Sequence, residues 1–247
     1  MKNHKILLIT EHLGSGGAER QICGIAAFLT QHGYDCRLIT YYDNQFYEPY
    51  LRAHNVDYQF VPDLLNPRTR VFRLIKYLYT YKPDIVISYL FSVNMTTCLA
   101  RTLYKCKLIV SERNNNIRVS KKDYILFNLY RMADFVIPNS YSQADFIKRN
   151  FPFLTKKVVP IINFVDVEKF IPNKEQPINK VPRIITVARV TSQKNVLTYL
   201  EAIRIIKDQD INVHFDWFGS KSYDESYNRL VEERMRALGV DDYITRV

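Results

Sequence analysis

With 247 residues, 47% of them hydrophobic, the chain can fill one large core or two ordinary ones, which excludes a disordered protein. No apolar run approaches the length that crosses a bilayer, and the apolar stretch at residues 6–9 meets Glu11 too soon for a signal peptide. A cytoplasmic protein is expected. The net charge of +10 is uneven: residues 1–165 hold 22 Lys+Arg against 12 Asp+Glu, and residues 166–247 hold 13 against 13. A basic face turned toward nucleic acid, a membrane surface or a phosphorylated substrate follows from that asymmetry.

Apolar runs and helical periods alternate along the chain. KILLIT predicts a strand, and residues 17–32 a helix with Ile22, Ile25, Ala26 and Leu29 on one face, ended by Gly33. CRLITYY, a short helix at 48–54, DYQFVP and a helix at 67–81 follow. Then come DIVISYL, a helix at 94–103, KLIVSE, a helix at 121–132, DFVIPNS and a helix at 142–150. Such apolar strands separated by helices predict a parallel sheet covered on both faces.

Residues 162–182 carry three prolines and no clear period, which places an interdomain linker at 166–182 between a domain of residues 1–165 and another of 183–247. The second series is RIITVAR, a helix at 195–207, NVHFDWFG, a helix at 223–238 and DYITRV. Three strands leave a small sheet with an open edge, so the second domain is expected to be incomplete. Cys23, Cys36, Cys98 and Cys106 form no Cys-x-x-Cys pair and no metal-ligand spacing, so they read as buried thiols.

Between the first strand and helix stand Gly14, Gly16 and Gly17. Glycine is costly to order, so the cluster serves a tight turn or a close approach to the main chain. As a plain strand-to-helix turn, it would have Glu19 favourably placed in the first helical turn. A dinucleotide-binding loop, with Asp43 after the second strand, is the weaker reading, because the third glycine position of Gly-x-Gly-x-x-Gly is Glu19.

GSGGAERQ, NSYSQADFI, NFVDVEKF and VARVTSQKNVLTYLEAI, in that order, resemble the family 4 retaining glycosyltransferases. The resemblance runs over the whole chain and implies an α/β GT-B-like fold, two doubly wound Rossmann-like parallel-sheet domains with the second incomplete. It implies transfer of a sugar, with retention, from a nucleoside-diphosphate sugar to a polysaccharide or lipid-linked glycan, as in capsule or lipopolysaccharide synthesis. No metal and no cofactor are implied. Negative charge developing on the departing diphosphate must then be met by cations and backbone amides.

In that reading Arg189 and Lys194 match the family's phosphate-binding pair, and the amides of Gly16 and Gly17 approach the donor phosphates or the acceptor in the interdomain cleft. Many members carry a histidine near the end of the strand KLIVSE. Arg113, after Glu112, stands there instead, giving the two a catalytic role or, failing that, only a charged loop. Phe164 stands where the family commonly has glycine. His12 faces the cleft or is an ordinary packing histidine.

Arg68, Arg70, Arg73 and Lys76, interleaved with aromatics, are candidates to face an acceptor or an anionic membrane, as a peripheral protein of the inner face of the cell membrane. The alternative is a domain helix with its apolar side in the core. Nucleic acid is not expected, since no reader motif is present. The family's pair of glutamates with seven residues between them is missing. Glu225 and Glu233 have that spacing but lie too early in the domain and read as surface charges. A non-catalytic acceptor- or membrane-binding module, derived from such an enzyme by truncation, is therefore the second reading.

Overall fold

A computed structural model describes residues 4–167, 169–172, 180–222 and 224–246. The chain divides into two compact units after Lys169. Residues 168 and 173–179 of the expected linker lie outside the described residues.

The first unit holds β1 (Lys5–Ile9), α1 (Gly17–Gln31), β2 (Asp35–Thr40), α2 (Glu48–Ala53), β3 (Asp57–Phe60), α3 (Arg70–Tyr81) and β4 (Ile85–Tyr89). It continues with α4 (Phe91–Ala100), β5 (Lys107–Glu112), α5 (Lys121–Leu129), β6 (Phe135–Pro138) and α6 (Tyr141–Asn150). The six strands form one parallel sheet in the order β3-β2-β1-β4-β5-β6. The order reverses between β1 and β4, as in doubly wound sheets.

Alternation along β1 explains the layering, because successive strand residues face opposite sides of the sheet. Ile6 and Leu8 pack with Ile22, Cys23 and Ala26 of α1 and Leu51 of α2. Leu7 and Ile9 pack on the other side with Leu74 and Leu78 of α3, Val93 of α4 and Phe127 of α5. Both faces are therefore covered, and at roughly 25 cal/mol per Å² of apolar surface this burial is the main stabilising contribution.

Several boundaries differ from those expected. The helix predicted at 67–81 begins at Arg70, because the Asn66 carbonyl accepts the N–H groups of Thr69 and Arg70 in a preceding turn. The helix predicted at 94–103 begins at Phe91. The one predicted at 121–132 ends at Leu129 and tightens into a 3₁₀ turn at Tyr130–Met132. Its start is fixed by a capping box, with the Ser120 hydroxyl accepting from the Asp123 N–H and the Asp123 carboxylate accepting from the Ser120 N–H.

The second unit holds β7 (Arg183–Val187), α7 (Val196–Asp208), β8 (His214–Phe218), α8 (Glu225–Leu238) and β9 (Ile244–Arg246). Its three strands are parallel, in the order β7-β8-β9. Phe215 and Trp217 pack with Leu200 and Ile203 of α7 and Val231 and Met235 of α8. Both helices thus cover the same face. On the opposite face Ile185 and Val187 stay 63% and 79% exposed, and within the unit no described element covers them. Parallel sheets are ordinarily covered on both sides, so the unit is an incomplete doubly wound domain.

Candidate donor-binding and acceptor-side residues

The glycine loop leaves β1 and is held against the segment after β2. The Leu13 N–H donates to the Asn44 carbonyl at 3.0 Å, and the Tyr47 N–H donates to the Leu13 carbonyl at 3.2 Å. Gly16 caps α1 with no side-chain bond of its own. Its missing side chain has a local cause: a Cβ there would lie 2.1 Å from Oε2 of Glu19, whose buried carboxylate turns back over the helix start. His12 Nδ1 sits 3.5 Å from Glu19 Oε1 and 3.0 Å from the Gly14 N–H. At Gly17, by contrast, an added Cβ would meet nothing within 4 Å. Of the two glycines expected to approach phosphates, only Gly17 is bare without a neighbour that demands it.

At the carboxyl end of β5, Glu112 and Arg113 point to different places, as neighbours on a strand do. Glu112 is 5% exposed, and its carboxylate accepts from the Tyr130 hydroxyl at 2.9 Å and from the Asn114 N–H at 3.3 Å. Burial pushes its carboxyl above the ordinary value, while the Tyr130 and backbone hydrogen bonds pull it down. Tyr130 belongs to a buried network in which the Asn94 amide donates to the Tyr130 oxygen and the Ser111 carbonyl and accepts from Ser88. Glu112 therefore anchors the loop from below.

Arg113 is half-buried and stays at the surface of the unit. Its guanidinium lies 4.3 Å from the centre of the Tyr89 ring, donates to the Tyr89 hydroxyl, and donates to Asn163 Oδ1 at 2.7 Å. Further along the loop the Asn116 backbone and side chain pair with the buried carboxamide of Gln143, at 2.8 and 2.7 Å. Tyr89, Asn163 and Gln143 escaped sequence reasoning, since nothing local marks residues that support a distant loop. Leu90, between Tyr89 and α4, adopts φ +75°, ψ 155°. That is backbone a leucine rarely adopts, and such strain gathers at functional sites.

Helix α3 separates its basic residues. Arg68 precedes it and is exposed, as are Arg73 and Lys76. Arg70 contradicts the expectation of a surface cation. It is 6% exposed, and its guanidinium donates to the Leu64 carbonyl at 2.6 Å, the Ser92 hydroxyl at 2.7 Å and the Leu65 carbonyl at 3.0 Å while lying over Tyr41. With its donors used inside the fold, it cannot meet a headgroup or an acceptor.

In the second unit, Arg189 follows β7 and Lys194 ends a 3₁₀ turn, Ser192–Lys194, just before α7. The strand exit is fixed on both sides. The Ala188 N–H donates to the Phe218 carbonyl at 3.0 Å, and the Trp217 ring N–H donates to the Ala188 carbonyl at 2.7 Å. The approach is close enough that a Cβ on Gly219 would lie 2.0 Å from that carbonyl. Asn195 turns the chain with φ +52° and caps α7 without a side-chain bond, leaving the first amides of the helix open. Arg189 and Lys194 are exposed and make no ion pair among the described residues. Two unengaged cations beside an uncapped helix N-terminus form an arrangement suited to an anion.

Glu225 and Glu233 are exposed on α8. Cys23, Cys36 and Cys98 are buried and Cys106 is half-buried, all as free thiols. Phe164 is braced against α1 within the first unit, with its N–H and carbonyl both bonded to the Gln21 carboxamide at 3.0 Å. No helix among the described residues is long and apolar enough to cross a membrane, and no group of three His, Cys, Asp or Glu comes together there as a metal site.

A sequence model of Glycosyltransferase Family 4 matches residues 15–169, more than half of the chain. No curated protein matches significantly. Among solved structures, a glycosyltransferase from Rickettsia africae ESF-5 is similar, with TM-score 0.80 and 18% identity over 100% of this chain and 68% of that one. Anabaena Alr3699/HepE in complex with UDP and glucose gives 0.78 and 15%, over 99% and 69%. Sucrose-phosphate synthase from Thermosynechococcus elongatus gives 0.74 and 16%, over 99% and 70%. At such identities these likenesses speak for the fold, and the family match speaks for descent. The chain belongs to glycosyltransferase family 4, with the parallel-sheet units of a GT-B glycosyltransferase-like enzyme.

Proposed function

We propose that the protein transfers a sugar, with retention, from a nucleoside-diphosphate sugar to a polysaccharide or lipid-linked glycan. The observation that carries this reading is the pair of unengaged cations, Arg189 and Lys194, beside the uncapped start of α7. As the sugar leaves, charge accumulates on the diphosphate. A guanidinium fork, an ammonium and free amides stabilise that charge more than the ground state. The solved Anabaena neighbour, determined with UDP and with UDP-glucose, supports a uridine diphosphate donor as the first to test. In the same reading the Gly16 and Gly17 amides bind donor phosphate or acceptor, and Arg113, held by Tyr89 and Asn163, contacts substrate, while buried Glu112 supports it.

The first unit, which carries the charge excess, takes the acceptor side. Exposed Arg68 and Arg73, with Phe72 and Tyr79 at 71% and 56% exposure, fit an acceptor carried at an anionic membrane. The bare face of the second sheet favours one other reading, a non-catalytic acceptor- or membrane-binding module.

Calorimetric titration with UDP decides between them. Arg189→Ala and Lys194→Ala are each expected to weaken binding by about 1–3 kcal/mol, the worth of a charge-assisted contact. Unchanged affinity in both variants would remove the diphosphate assignment, and no UDP binding by the parent chain would leave the module.

A further inference from the structure

On the first unit, a depression of about 450 Å³ lies between α3 and the outer strands β2 and β3. Its volume is that of small-ligand sites. It exists because α3 covers the sheet at Leu7 and Ile9 through Leu74 and Leu78, whereas toward Arg37 of β2 and Gln59 of edge strand β3 it reaches only with the side chains of Tyr77 and Tyr81. None of its lining residues comes from the loops that follow β1, β4 or β5. It is a separate place from the residues assigned above to the donor, and it shares Arg73 and Lys76 with the candidates for the acceptor side.

The lining chemistry narrows the ligand. Lys5, Arg37, Arg73 and Lys76 face the depression together with the single carboxylate Asp63. Most of that charge is answered nearby: Arg37 donates to Asp57 at 2.7 Å, Lys5 lies 3.9 Å from Asp35, and Arg73 lies 3.9 Å from Asp63. Lys76 makes no ion pair among the described residues, so about one positive charge is left over. A polyphosphate would need several open cations. One open cation suits a ligand whose negative charges are spaced widely.

Neutral hydrogen-bonding groups are interleaved with these charges. The Tyr77 hydroxyl donates to Gln59 Oε1 at 3.0 Å and accepts from Arg37 at 3.4 Å, and the Thr80 hydroxyl lies one turn from Lys76. Lys5 and Arg37 lie over the ring of Tyr81, at 4.2 and 4.5 Å, which holds their charges near the floor. The half-buried Tyr77, beside these alternating donors and acceptors, offers what the face and hydroxyls of a sugar require.

We propose that this groove binds an acidic oligosaccharide, a glycan stretch with isolated carboxylates, as a holding site apart from the reacting residues. The assignment does not depend on the donor reading.

Isothermal titration of the full chain with a hyaluronan hexasaccharide, which carries one carboxylate per disaccharide, tests it against neutral maltohexaose. The acidic probe is expected to bind, and Lys76→Glu, a change at an exposed position, to weaken it at least about tenfold with an unchanged unfolding midpoint. Tyr77→Phe should weaken it through the lost hydroxyl alone. UDP affinity should be unaffected by either variant. Failure of the hexasaccharide to bind, equal binding of maltohexaose, or indifference to Lys76→Glu would each overturn the proposal. Loss of UDP binding alone would count only against the donor reading.

Discussion

The ring of Phe164 occupies the space that a side chain on Gly24 would take, with its Cζ 2.0 Å from where that Cβ would stand. Together with the paired bonds from Gln21, this contact ties the end of the first unit to α1, at a place where both Gln21 and Gly24 are buried. The family resemblance leads to an expected glycine at Phe164, and here the glycine lies on the receiving helix. Gly24→Ala would force the ring away. Despite the helix preference for alanine, it is expected to cost about 1–3 kcal/mol by overpacking. In a Phe164→Ala background the same change should cost nothing or stabilise by about 0.5–1 kcal/mol. Urea unfolding of the four proteins checks this, and equal costs in both backgrounds would refute the packing account.

Gly16 and Gly17 separate fold from ligand in the same loop. Gly17→Ala meets no neighbour and sits in the first turn of α1, so stability should hold or rise by up to about 1 kcal/mol. If its amide approaches phosphate, UDP affinity should nonetheless fall. Gly16→Ala should displace the Glu19 carboxylate and change both properties. A Gly17→Ala variant with parental UDP affinity, measured by calorimetry, would remove the close approach at that position.

Glu112 gives a pH signature. Because burial holds its carboxyl above the ordinary 4.5, the folded protein binds a proton there that the unfolded chain has already lost. Stability from this group is present below pH 4.5 and is lost as pH rises through the folded value. Glu112→Gln removes the titration and keeps an oxygen for Tyr130. The stability difference between variant and parent should therefore move in favour of the variant as pH rises from 4.5 to 7.5. Urea titrations at the two pH values read the trend, and the opposite slope would show that the charged form is the favoured one.

Arg70 and Arg73 predict opposite sensitivities on one helix. Arg70→Lys leaves some of the Leu64, Leu65 and Ser92 oxygens without a donor and is expected to cost about 1–3 kcal/mol. Arg73→Lys, exposed and only 3.9 Å from Asp63, should stay within about 0.5 kcal/mol. Thermal unfolding distinguishes them, and equal effects would contradict the buried fork.

By itself the sequence determined the elements and their layering. A strand such as KLIVSE, seen as β5 Lys107–Glu112, carries its burial in its own apolar content, and the helix at 17–31 carries its face in its period. These are local properties of neighbouring residues, as is the placing of Arg189 and Lys194 at a strand exit and a helix start. Only the tertiary structure decided which of several similar residues turn inward. Arg70 is buried because carbonyls of the preceding turn and a hydroxyl of α4 converge on it. Gly16 is bare because Glu19 folds back, and Gly24 because a ring from the far end of the unit rests there. Those choices depend on partners brought together by folding, and no spacing along the chain records them.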